Sequence, residues 1–342
     1  MMKGKTTVDT VGIIYNVKSG HKDGPEDEEA EYDNLDTVHA IKEVFESMNL
    51  QVHLLEENEE LISNLKQNPI DIAFNIAEGK KGRGREAEVP AILNLLGIPF
   101  SGSDETTLCI ALDKAITKRL ITSAHIRTPK YAVLQQGKTL NLSGLNYPII
   151  IKPNAEGSSK GISDVSIVES KAELNELVEK NHKLYHQDML AEEYIEGREF
   201  TVGVLGNGKD RHIFSPMEIK YKKTTQGNYH VYSYPVKQDY KSFVAYECPA
   251  KLTPEQEKEM IKATAKICDL LGCLDFARVD YRMDCEGKIY FIEINPLPGL
   301  APGYSDYPML ADFSGMDYKA LVQNVFLSAV KRHGMTLVGR SC

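Results

Sequence analysis

The chain reads as an α/β unit followed by two α+β units, and three observations predict it. Over the first hundred residues, short apolar runs alternate with stretches of helical period, which implies a parallel sheet with helices on its faces. Beyond that point, strand-like runs follow one another across Gly- and Pro-bearing turns, the pattern of antiparallel sheets. The length of 342 residues exceeds one small core and fits two to three domains.

The N-terminal unit, residues 1–103, begins with an apolar run at 11–17 and an acidic loop at 20–33. Residues 35–48 place Leu35, Val38, Ile41, Val44 and Phe45 on one side of a helix. Short strands are expected at 51–55 and 71–77, a helix at 61–66, and a helix at 86–96 stopped by Gly97. The second unit, 104–209, opens with a helix at 106–122. A buried strand at 147–153, a polar Gly/Ser loop, a strand near 165–168, a helix at 172–184 and strands at 189–195 and 200–205 complete a small antiparallel layer. The third unit, 210–342, holds a polar, Tyr-rich stretch at 221–246, a helix at 254–271, paired strands at 276–281 and 289–294, and a last helix at 318–330. The tail at 336–342 carries no pattern and is expected to fray.

Composition excludes several function classes. A net charge of -9 denies the basic surface that nucleic acid requires, yet a nucleotide needs only a few local cations. Six cysteines without CxxC spacing argue against zinc or disulfide frameworks and fit a reducing cytosol. The histidines show no HExxH spacing, GxSxG is absent, and no cysteine stands beside a histidine, so covalent nucleophilic catalysis has no support. No run approaches the length of a membrane span and no signal peptide is evident, so a cytoplasmic protein is expected.

The most informative stretch is the pair of alternating strands around Asp280 and Glu293, joined by an acid- and Gly-bearing turn at 283–288. Pairing them brings Asp280 close to Glu293 and Asn295, three hard oxygen donors that suit Mg2+ shared with nucleotide phosphates, with Arg278 as a fixed cation beside them. Lys152 ends a buried strand, where a cation needs an anion, and the polar loop 154–161 follows it. That loop offers free N–H groups and hydroxyls for a flap over phosphates but lacks P-loop spacing; a plain connection is the alternative. Glu192 and Glu199 stand at strand ends, where carboxylates could accept from adenine or ribose, a solvated charge cluster being the bland alternative. Lys114, alone on a helix, is by itself an ordinary surface lysine.

Taken in order, these segments resemble the ATP-grasp superfamily and, within it, the D-alanine–D-alanine ligases. The landmarks are the Gly97-Ile98-Pro99-Phe100-Ser101-Gly102 turn, Asp113-Lys114, Lys152-Pro153 with Glu156-Gly157-Ser158-Ser159, Glu192 to Ile195 with Glu199, Arg278-Val279-Asp280, and Glu293-Ile294-Asn295 with Pro298-Gly299. The resemblance implies a three-unit ATP-grasp architecture: an N-terminal parallel α/β domain, a small central α+β lid, and a C-terminal α+β domain with an antiparallel sheet. It implies ATP between the last two units, contacted by Lys114, Lys152, Glu156, Ser158, Ser159, Glu192, Tyr194, Ile195 and Glu199. Asp280, Glu293 and Asn295 would hold two Mg2+ ions, with Mn2+ as a substitute. One amino acid's carboxylate would be phosphorylated, and the amine of a second would displace the phosphate. Arg278 and the N–H of Gly299 would stabilise the oxyanion, with Ser158 and Lys237 in the catalytic machinery. The implied partners are small amino acids, with no nucleic acid or membrane; a homodimer in peptidoglycan biosynthesis is expected by resemblance.

The chain departs from that pattern on the substrate side. Glu78, in Ala77-Glu78-Gly79, stands where the family has His-Gly. Lys237 is kept, but Gln238 replaces the tyrosine that follows it. Ser305-Asp306 replaces a Ser-Leu pair, setting an acid beside the expected carboxylate pocket. The carboxylate that holds the first substrate's ammonium is assigned to Glu31 within an acidic cluster, against the alternative of a solvated loop. These changes leave open a related ligase with a different second substrate and, from another class, a nucleotide-binding regulator without turnover.

Overall fold

The computed structural model describes residues 7–18, 32, 34–80, 82–138, 140–157, 166–223, 229–233, 236–237 and 239–338. Three principal sheets carry the fold. The N-terminal sheet is parallel, with Thr10–Tyr15 between Gln51–Glu56 and Ile72–Asn75. The central strand is buried along most of its length because helices cover both faces, as parallel sheets require. The helix Leu35–Glu46 packs Val38, Ile41, Val44 and Phe45 inward, while Leu35, expected on that side, is 47% exposed at the first turn. Gly97 closes the helix Glu88–Leu96 in the left-handed region, at φ 69°.

The central sheet is antiparallel, in the order Tyr131–Leu134, Met189–Glu193, Ile149–Pro153, Ile167–Val168, with the helix Lys171–Tyr185 against it. The large sheet is antiparallel as well: Val244–Glu247, Met217–Tyr221, Arg198–Leu205, Phe276–Met283 and Ile289–Asn295 in sequence across it. The strand Arg198–Leu205, expected in the second unit, lies at the middle of this sheet, paired along its whole length with Phe276–Met283. It is buried at every position from Phe200 to Leu205, as suits an interior strand, and its apolar residues do not reveal which sheet receives it.

The single helix expected at 106–122 is two helices, Glu105–Leu112 and Lys114–Ser123. Asp113 breaks them: its backbone is extended and its carboxylate caps the second helix by accepting from the Ile116 N–H. Both pack on the large sheet's helix Pro254–Leu271, and Thr107 donates to the Leu271 carbonyl at 2.8 Å. The tail does not simply fray: Thr336–Leu337 pairs in parallel with Thr7–Val8, and Leu337 is buried. Among the described residues no helix is long and apolar enough to cross a membrane.

Candidate active site

A cleft opens between the central and large sheets, and the alternation of two strands builds one wall. In Phe276–Met283, Ala277, Val279 and Tyr281 turn into the core, which leaves Arg278, Asp280 and Arg282 on the opposite face. The partner strand sets Glu293 directly across from Asp280 and Asn295 across from Arg278. A bulge follows at once: Tyr281 pairs with Phe291, so Ile292 is the extra residue.

Arg278 grips Asp280 with two bonds, Nε to Oδ1 at 3.1 Å and Nη2 to Oδ2 at 3.0 Å. Its remaining nitrogen, Nη1, is 3.4 Å from Asp306 Oδ2. Asp306 is buried and also accepts from the Tyr246 hydroxyl at 2.9 Å, which is itself 2.8 Å from that of Tyr232. Glu293 lies 3.7 Å from Lys114, whose ammonium donates to the Glu156 carbonyl. Burial raises Asp280 above the usual carboxylate range, Arg278 opposes this, and the charge of Glu293 adds to it. Burial pushes Glu293 the same way, but Lys114, Lys152 and Arg278 outweigh it and hold the group below that range. Among the described residues no cluster of three or more His, Cys, Asp or Glu forms a ready metal cage.

The opposite wall comes from the central sheet. Glu192, at 1% exposure, is clasped by two lysines, Lys118 at 2.5 Å and Lys152 at 2.6 Å. Burial would raise the Glu192 carboxyl, but the two cations hold it at about 2. Burial drives Lys118 the other way, down to about 8, although Glu192 opposes it. At the far end, Glu199 meets Arg282 at 3.3 Å and the Tyr221 hydroxyl at 2.8 Å. Arg282 lies over the Tyr194 ring, 4.7 Å from its centre, and donates to the His230 carbonyl at 3.0 Å. Ile150, Ile195, Phe200, Ile219 and Ile294 supply apolar lining between these charges.

The cleft gathers Lys114, Lys152, Glu156, Glu192, Tyr194, Ile195, Glu199, Glu78, Lys237, Arg278, Asp280, Glu293, Asn295 and Asp306. A smaller cavity continues from it past Glu78, Lys237, Arg278, Asn295 and Asp306 to Gly299 and Ser305. Gly299 fits because a Cβ there would approach Ser305 Oγ to 2.9 Å. Glu31, Ser158, Ser159 and Gln238 lie outside the described residues.

Some residues of the site were not singled out from sequence. Lys118 falls one helical turn after Lys114, a spacing that puts the two on one face. Arg282 continues the alternation of Arg278 and Asp280, so the strand pattern held its signal. Asn16, just past the first parallel strand, accepts from the N–H groups of Glu78 and Gly79 at 2.7 and 3.2 Å and donates to Glu57 at 2.7 Å. This fixes the turn that presents Glu78. The turn needs glycine at 79, where φ is 72° and a Cβ would meet the Arg85 carbonyl oxygen at 2.3 Å.

Comparison with known proteins gives a consistent result. The family model described as the D-ala D-ala ligase C-terminus matches residues 120–327. A D-alanine–D-alanine ligase of Pseudomonas entomophila is 30% identical over 333 residues, spanning 95% of this chain and 94% of the relative. One from Aquifex aeolicus is 33% identical over 295 residues, 84% of this chain and 93% of that protein. The crystal structure of the Bacillus anthracis D-alanine–D-alanine ligase complexed with ATP superposes with a TM-score of 0.74 at 25% identity, covering 95% of this chain and 98% of the other.

Proposed function

The chain belongs to the D-alanine–D-alanine ligase family, and we propose that it joins two amino acids at the expense of ATP, with D-alanine as the leading substrate for both positions. The observation that carries this reading is the cleft itself. Lys114 and Lys152 stand on one wall; Arg278, Asp280, Glu293 and Asn295 stand on the other; and a smaller cavity continues from it. The ATP complex of the Bacillus anthracis relative supports a nucleotide in the corresponding cleft.

Divalent metal fits the donor set. Two carboxylates face each other across the strands with an amide two residues on, and Mg2+ is typically held by one or two carboxylates together with substrate phosphates. Burial and the neighbouring Glu293 charge already work against the Asp280 anion, which a divalent cation would relieve. When bound, the metal supplies charge neutralisation at the transferring phosphoryl group.

The chain's own residues then do the following. Lys114 and Lys152 hold phosphate charge, and Glu192, Tyr194, Ile195 and Glu199 line the base and ribose region. Arg278 carries donors suited to the oxygen that becomes negative as the amine adds to the acyl phosphate, and Asp280, which it now grips, would hold the metal. The N–H of Gly299 faces the same task from the smaller cavity. Ser159 would contact the nucleotide, and Ser158 and Lys237 would act in the catalytic machinery, where water must be kept from the acyl phosphate. Glu31 holds the first substrate's ammonium, and Glu78, Ser305 and Asp306 shape the second site. The reading extends to a cytoplasmic homodimer serving peptidoglycan synthesis.

The experiment is phosphate release from Mg-ATP across D- and L-amino acids, singly and in pairs, with mass spectrometry of products. Release with D-alanine alone and formation of its dipeptide is the expected result. Release only with a mixed pair keeps the chemistry and replaces the second substrate, which the acids at Glu78 and Asp306 favour. Tight nucleotide binding without release for any pair would replace the ligase reading with that of a regulator.

A further inference from the structure

One charged group in the nucleotide wall has no part in the reaction proposed above. Lys118, on the helix Lys114–Ser123, is 0% exposed and does not line the cleft. Three separate pieces of the fold converge on its ammonium. Glu192 Oε1 from the central sheet is 2.5 Å away, the Thr128 hydroxyl from the following connection is at 2.7 Å, and the Ile292 carbonyl from the large sheet is at 3.0 Å. Ile292 is the bulged residue next to Glu293, so its carbonyl is left over from the strand ladder and Lys118 satisfies it.

The chemistry of Glu192 gives this arrangement a purpose. Its carboxylate is buried, and its second oxygen is held at 2.6 Å by Lys152, which does line the cleft. A phosphate arriving in the cleft competes with Glu192 for Lys152. Were Lys152 the only cation present, its departure would strand a buried carboxylate without a counter-charge, which is strongly unfavourable. With a second lysine fixed on the other oxygen, the carboxylate stays compensated. We propose that Lys118 is a positioning residue whose ammonium remains on Glu192 and so releases Lys152 to the nucleotide. Its anchors at Thr128 and Ile292 explain why Lys118 is the lysine that stays: it has two neutral acceptors besides Glu192, whereas Lys152, though buried, lines the cleft that a phosphate would enter. This inference rests on the reading that the cleft binds ATP.

The test is the affinity for Mg-ATP, measured by calorimetry on the wild-type protein, K118M, E192Q and the K118M/E192Q double variant, with thermal melts of each. K118M is expected to bind at least about tenfold more weakly than wild type, because Lys152 must then stay on Glu192. Removing the Glu192 charge removes the need for Lys118, so the double variant is expected within about threefold of E192Q alone. A residue that only props up the fold would leave the double variant as weak as K118M. K118M within about twofold of wild type, or a double variant about tenfold weaker than E192Q, overturns the inference. Should K118M fail to fold, the comparison of the double variant with E192Q decides by the same criterion. A wild-type protein that binds no nucleotide overturns the ATP reading itself, and this inference with it.

Discussion

On the central-sheet wall of the cleft, Glu192 lies between Lys118 and Lys152, and each charge has its partner inside the protein. On the large-sheet wall, Asp280 and Glu293 stand opposite each other as like charges, and the cations that reach them, Arg278 and Lys114, come from the sides. The first arrangement is close to self-sufficient: burial is costly for an isolated carboxylate, but two lysines hold Glu192 ionised. The second is strained, with Asp280 raised by burial and by its neighbour's charge. The contrast teaches that one wall has its charges paired within the protein, while the other leaves two facing acids imperfectly compensated. Under the proposed function, that imbalance suits a wall that would take up a divalent cation together with phosphates.

The difference can be broken at its weakest point first. Glu293→Gln removes one of the facing acids, and turnover is expected to fall about a thousandfold or more, with the far-UV spectrum and melting temperature little changed. Activity near wild type would show that Glu293 takes no part in the chemistry. Arg278→Lys loses the two-bond grip on Asp280 and the reach to Asp306 together. A drop of about a hundredfold in kcat, with the KM for ATP nearly constant, is the expected signature of a group acting in the transition state.

The wall with paired charges predicts a stability effect instead. Glu192 falls from its ordinary value of 4.5 to about 2 in the folded chain. A depressed carboxyl stabilises above its unfolded value and loses that stabilisation as pH falls through the folded one. The window is therefore pH 4.5 down to 2, and the linked stability is roughly 3 kcal/mol. Urea unfolding curves across that window are expected to be less steep in pH for Glu192→Gln than for wild type; parallel curves would mean that the pair contributes no such linkage. The smallest effect concerns specificity. Asp306→Leu frees Nη1 of Arg278, so the KM for a second substrate with a free carboxylate is expected to drop about tenfold. An unchanged KM would place that carboxylate elsewhere in the pocket.

Periodicity and order made much of this legible in the chain. The period-2 pattern around Asp280 and Glu293, with its short turn, predicts a hairpin that brings the two acids close together, and the structure pairs them directly. The Gly-terminated helix and the β/α alternation predict the parallel sheet for the same reason: hydrophobic period is a local property of sequence. Lys152, the strand-ending cation, also lies in the cleft wall. Pairing partners are not local. A strand such as Arg198–Leu205, apolar at Phe200, Val202, Val204 and Leu205, suits any interior position, and only packing assigned it to the large sheet. The same holds for Thr336–Leu337, whose partner lies at the other end of the chain. For Lys118 the sequence shows a lysine on a helix. Its burial, its lowered proton affinity and its three acceptors come from segments more than a hundred residues apart in part, brought together by the fold. The sequence by itself determined the types of chemical group available, their faces on each element and the family. The tertiary structure decided which charges meet, because an ion pair's worth depends on distance and on the water excluded around it.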